Sequence, residues 1–229
     1  MTQVQSHDPI GVFFWARSGN GHRTAKEGVK QQKIAEYGPQ LDTSRDYDIT
    51  GDKVLGHFGE MGVKAWDDAQ KRGDLKFLEQ YSSWGWIGEI IFYPLVYFKV
   101  KWLLQELKQE PEFIVSTQAF CLKAIVHAMQ TVNKERKWQM HMDLHLADLP
   151  SKKMAHFFPS IRSVTSDKHL GKLLTLHAAP PRQGLGLSER EFWHKYCGKV
   201  NVVTNEPFPI REAFLNEKKL KEKLEKPVV

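Results

Sequence analysis

The residues best suited to chemistry stand in one short loop, Ser18-Gly19-Asn20-Gly21-His22-Arg23. An apolar run, Gly11-Val12-Phe13-Phe14-Trp15, precedes it, and a proline-free polar stretch from His22 to Glu36 follows. Strand, glycine turn, helix is the reading, and it leaves backbone N–H groups unpaired at the helix N-terminus. Such a place attracts a phosphate, a carboxylate or a polarised hydroxyl, and Arg23 adds a full positive charge. An imidazole at that point could serve as general base or orient a hydroxyl, because the group titrates near neutrality. No Gly-Lys-Ser/Thr follows, so this is not a Walker loop. Thr24 stands where a dinucleotide fingerprint needs its third glycine. The competing account is a tight strand-to-helix turn without a ligand.

Three other groups carry reactive side chains. His141, Asp143 and His145 alternate along a predicted strand and share a face, which suits either a divalent metal or a half-exposed strand. His194 and Cys197 are three apart, a helical spacing for thiol and imidazole, although the predicted helix ends near Tyr196; Cys121 has no such neighbour, and buried unreactive thiols are the simpler account of both cysteines. Between Trp84 and Trp102 lie seven aromatics in nineteen residues, interrupted by Glu89, Pro94, Lys99 and Lys101. Those interruptions argue against a membrane span. Two readings stay open. One is a core helix. The other is an interfacial helix with Trp84, Trp86, Tyr93, Tyr97 and Trp102 at headgroup level and Lys99 and Lys101 on anionic lipid.

The elements that must position these groups alternate. Strands are expected at 11–15, 112–116, 139–148, 161–164 and 200–203, with a short one near 47–50 inside a connection spanning 38–58. Helices are expected at 22–36, 59–80, 119–132 and 188–196, and 165–187, with Pro180-Pro181, Gly184 and Gly186, reads as a long loop. The fold class is α/β: an open, mostly parallel Rossmann-like sheet with helices on both faces. The chain has 229 residues, 41% of them hydrophobic, which excludes wholesale disorder. Two cysteines exclude a disulfide scaffold, and the polar start shows no secretory signal, so a reducing cytoplasm is the expected compartment. The net charge of +6 leans toward anionic partners without the basic-aromatic module of a nucleic-acid binder, so none is expected.

Read in order, these pieces resemble the N-terminal half of a two-domain (GT-B) glycosyltransferase, closest to the monogalactosyldiacylglycerol synthases and the MurG-like enzymes. The 18–23 loop is similar to that family's Gly-Gly-Gly-His-Arg. Phe113-Ile114-Val115-Ser116-Thr117 with its helix, and then the strand ending Ala147-Asp148-Leu149, resemble its Ser-x-His-Pro segment and later Thr-Asp-Leu. Pro209-Ile210-Arg211-Glu212-Ala213-Phe214 is similar to its interdomain linker. The sequence departs from the family pattern at Asn20, at Gln118-Ala119 in place of His-Pro, and at Arg17, where an acid is common; residues 165–187 have no counterpart.

The division expected is a disordered or extended terminus at 1–9, with the resemblance implying a Rossmann-like domain at 10–208 and, at 209–229, the linker and the start of an absent second domain. It implies His22 as the catalytic residue, with Ser18, Gly19, Asn20, Gly21, Arg23, Gln118 and Asp148 binding the acceptor or an anion. No cofactor or metal is expected in this half; the nucleotide-sugar donor would bind the missing domain, so the isolated chain would be inactive. The acceptor is expected to be a lipid-like or other hydroxyl compound, met at an anionic membrane surface. A non-catalytic module binding membranes or a partner is the alternative.

Overall fold

A computed structural model of the chain describes residues 8–17, 20–83, 85–147, 158–181 and 187–204. Six strands form one sheet: β1 (Ile10–Trp15), β2 (Asp42–Asp48), β3 (Phe113–Ser116), β4 (Met142–His145), β5 (Leu174–His177) and β6 (Asn201–Val203). Their order is β2-β1-β3-β4-β5-β6, and every pair is parallel. This is the open α/β sheet that the alternation predicts. The chain runs from β1 outward to β2 and then returns past β1 to β3, so the strand order reverses between β1 and β3.

The helices are α1 (Asn20–Tyr37), α2 (His57–Arg72), α3 (Leu75–Ser83), α4 (Gly85–Gln105), α5 (Leu122–Arg136), α6 (Phe158–Thr165), α7 (Lys168–Gly171) and α8 (Glu189–Cys197). The pleat sends alternate residues to opposite faces. On one face Phe13, Phe113 and Val115 pack with Val29 of α1. On the other, Val12, Phe14, Ile114, Met142, Leu144 and Leu176 join α4, α5, α6 and α8 in the larger core. Burying a side chain of this size stabilises by about 1.5–3 kcal/mol, so the sheet's two apolar layers supply the main driving force.

Four expectations change. The strand near 47–50 is β2, longer and earlier, at 42–48. Its residues are polar, and only Tyr47, paired with Phe14, is buried, so it lacks the apolar alternation of a strand. The single helix over 59–80 is two: Gly73, at φ 68, caps α2 in the left-handed conformation, and α3 starts two residues on. A Cβ at Gly62 would stand 2.7 Å from the Tyr81 hydroxyl, so the second glycine lets the two helices pack. Ile161–Val164 is helical within α6, because Phe158, Ile161 and Val164 recur at three-residue steps and all face the core. The long loop over 165–187 contains α7 and strand β5. The segment expected to be an interdomain linker, 209–214, and residues 1–7 of the expected disordered or extended terminus lie outside the described residues.

Candidate functional site

In an open parallel sheet, ligands bind beyond the carboxyl ends of the strands where the order reverses. Here that is the gap between Trp15 of β1 and Ser116 of β3. The first turn of α1 lies there. His22 Nδ1 is 2.5 Å from the Thr117 carbonyl oxygen, and the Thr117 hydroxyl donates back to the His22 carbonyl at 2.9 Å. A carbonyl only accepts, so Nδ1 carries the proton. In the neutral ring Nε2 is then left with its lone pair, the form a general base needs. His22 is half-buried and Arg23 exposed. A Cβ on Gly21 would come within 4.0 Å of Ala147, so the helix start also approaches the end of β4. Ser18, Gly19 and Asp148 lie outside the described residues, as do Trp84 and the side chain of Asn20.

Gln118 follows Thr117 and is 2% exposed, and neither its Oε1 nor its Nε2 has a hydrogen-bond partner. Arg17, at the end of β1, bonds Asp48 of β2 at 3.1 Å and borders a cavity of about 380 Å³ between β2 and α2, with Thr50, Glu60 and Lys64. A larger cavity, about 590 Å³, runs between α8 and β6. It follows the sheet's edge strand and is remote in topology from the reversal, so the β1/β3 crevice is the stronger candidate.

Helix α4 has one buried and one exposed face. Val96, Val100, Leu103 and Leu104 are buried against α5, whereas Trp86, Ile87, Ile90, Ile91, Phe98 and Trp102 are exposed. Of the other expected membrane-facing residues, Lys99 is exposed. Tyr93, Tyr97 and Lys101 instead turn toward α5, where they bond His127, Thr131 and Glu135. The sequence reading missed Phe58, Met61 and Leu75 of α2 and α3, at 64%, 58% and 74% exposure. Phe58 touches Phe92 of α4, which joins the two apolar surfaces. No described helix is long and apolar enough to cross a membrane.

It also missed Glu89. This acid leaves the apolar stripe and turns inward, accepting the Cys121 amide at 3.2 Å and the Ser160 hydroxyl of α6 on the same oxygen. Burial raises its pKa, with those two hydrogen bonds opposing. Read as an interruption of a span, its position gave no hint of this contact.

His141, Asp143 and His145 share a face as expected, and β5 adds His177. His177 Nε2 lies 3.2 Å from Asp143, and its ring stacks on His145 at 4.3 Å. Among the described residues no group of three His, Cys, Asp or Glu is placed to hold a metal. Burial by itself would raise the Asp143 carboxyl, but the His177 hydrogen bond and the charges of His177, His145 and His141 leave it below its usual range. Burial, with the charges of His177 and Lys33, brings the His145 pKa down to about 3 against the pull of Asp143. The folded state therefore binds this proton less readily than the unfolded chain. Stability is full above about pH 6.5 and is lost at up to about 1.4 kcal/mol per unit as pH falls toward 3. His145→Gln is expected to flatten urea-melt stability between pH 7 and pH 5 by about 2 kcal/mol. An unchanged slope would show that His145 does not carry the acid sensitivity.

Cys121 and Cys197 are both buried. Burial pushes the Cys197 thiol up to about 12 and raises Cys121 well above its ordinary value, so neither is an activated nucleophile.

Three comparisons bear on kinship. No family model, curated protein or solved structure matches the chain.

Proposed function

We propose that this chain is the acceptor-binding half of a glycosyltransferase, moving a sugar from a nucleotide-sugar donor to a hydroxyl acceptor presented at an anionic membrane surface. One observation carries the reading: the imidazole and the apolar helix meet on the same five-residue loop. His22 bonds Thr117, at its start, and Glu89 of α4 bonds Cys121, at its end. A Cβ on Gly88 would stand at contact distance, 3.4 Å, from the Phe120 ring between them. An acceptor held by a bilayer against α4 would have its hydroxyl delivered toward His22.

In this reading His22 Nε2 takes the acceptor's proton as the oxygen attacks the sugar carbon and the nucleotide diphosphate leaves. The α1 amides and Arg23 stabilise charge beside it. The donor is held by a second domain beyond the 209–214 linker, and the reaction waits for the two halves to close. The exposed face of α4 also supports a second reading, a docking module on the same scaffold without turnover.

Calorimetric titration with UDP- and GDP-sugars tests the division of labour. The 229-residue chain is expected to bind them only weakly and to transfer nothing by itself. Micromolar binding would put the donor site in this half and remove the acceptor-domain reading.

A further inference from the structure

Two elements distant in sequence bond the loop between β3 and α5, α1 through His22 and α4 through Glu89, and α6 holds Glu89 in turn through Ser160. The loop's backbone is unusual at its end. Cys121 has φ 59, a left-handed conformation that costs a non-glycine residue about 1 kcal/mol or more and persists only where the surroundings hold it. Glu89 is part of that hold, because it takes the Cys121 amide.

Hydrogen-bond capacity is left over on this loop. A carboxylate offers lone pairs on both oxygens, yet both donors to Glu89 go to Oε1. Gln118, three residues before Cys121, is buried with its carboxamide unpartnered at both ends. Buried polar side chains are rarely left so, since each missing bond costs the full desolvation of the group. Gln118 Oε1 needs a donor and Gln118 Nε2 an acceptor, and Glu89 Oε2 takes neither of the two hydrogen bonds that hold Oε1. A phosphate is an anion rich in acceptors, and its charge would stand against the Glu89 carboxylate. A hydroxyl both donates and accepts, and neighbouring hydroxyls do so in pairs.

We propose that Glu89 and Gln118 form a binding site for a neutral, hydroxyl-rich group, a polyol or sugar headgroup rather than a phosphate. This rests on the crevice being the acceptor site, and it names the acceptor's class. Gln118 is shut off from solvent, so binding parts the residues that cover it, and the orphaned amide favours that opening. Thr117 and Cys121 are separated by at most roughly 14 Å of chain, which keeps a group bound beside Glu89 near the His22 anchor.

Saturation-transfer NMR with myo-inositol and methyl glucoside, in the presence and absence of inorganic phosphate, tests the site. Wild-type protein is expected to respond to the polyols, phosphate is expected not to compete, and Glu89→Gln and Gln118→Met should each weaken the response about tenfold or more. Gln118→Met matches the side chain's length and removes the orphaned amide. Its melting temperature should therefore rise while the polyol response disappears, a split that a packing role would not produce. No polyol response in wild-type protein, an equal response in both variants, or displacement by phosphate would each overturn the proposal. Sugar transfer, assayed with the chain joined to a donor-binding domain, is read separately. Polyol binding without transfer would remove the glycosyltransferase reading alone, and transfer indifferent to both substitutions would remove this site alone.

Discussion

If the proposed function holds, then in a sugar-transfer assay of the chain joined to a donor-binding domain His22→Ala is expected to lower turnover by about 10²–10⁴-fold, the range for loss of a positioned general base. The geometry says why so much should rest on one side chain. Thr117 holds Nδ1–H, so the ring is fixed in orientation and tautomer and Nε2 is left as its basic nitrogen. Stability should fall far less, because the ring is half-buried and gives up one hydrogen bond, about 1 kcal/mol. His22→Asn separates the two roles. Its amide can keep the bond to Thr117 but cannot accept a proton at neutral pH, so it should fold like wild type and still lose turnover. Near-normal turnover in His22→Asn, or a large loss of stability with normal turnover in His22→Ala, would make the residue a clamp between α1 and β3 and nothing more.

The parts of the fold legible in sequence share a physical property. β1 and β3 are short apolar runs buried along most of their length, and β4 alternates apolar and polar residues, Met-Asp-Leu-His, so each carries a strand pattern in its composition. β2 is an edge strand held by backbone pairing with β1, and its Asp42-Thr43-Ser44-Arg45-Asp46 stretch carries little apolar signal. β5 failed for a different reason. Leu174–His177 alternates correctly, but it is four residues long and sits beside Pro180-Pro181, which made the whole segment read as loop. Ile161–Val164 is as short, and only the wider spacing from Phe158 distinguishes helix from strand.

The site divides in the same way. His22 was legible because chain geometry alone puts a residue after a glycine turn at a helix N-terminus. Glu89 was not, because its partners, Cys121 and Ser160, are brought to it by tertiary packing. Nothing in a local window of sequence distinguishes an acid that breaks an apolar stripe from one that caps a distant loop.

The second large effect concerns the outer face of α4. Ile90, Ile91 and Phe98 are 65%, 65% and 66% exposed, so they contribute little to folding and much to any surface that covers them. Full burial of such a side chain is worth about 1.5–3 kcal/mol. Two-thirds of that, over three residues, is about 3–6 kcal/mol on entering a bilayer interface. Changing all three to serine should therefore lower binding to equimolar phosphatidylcholine–phosphatidylglycerol vesicles by about a hundredfold or more, with melting nearly unchanged. Salt should weaken wild-type binding only in part, because it screens Lys99 and the net charge of +6 but leaves the apolar term. The inner face supplies the contrast. Val96→Ser and Val100→Ser alter residues that are 0% exposed and should destabilise the fold itself. Vesicle binding by the triple variant equal to that of wild type, or no wild-type binding at low salt, would reject the bilayer as the partner of this face. The aromatic stretch would then be a core helix whose outer side serves some other contact. Loss of binding with the fold intact would instead mean that one helix divides its two faces between the core and the lipid, the same helix that holds, through Glu89, the loop to which His22 is anchored.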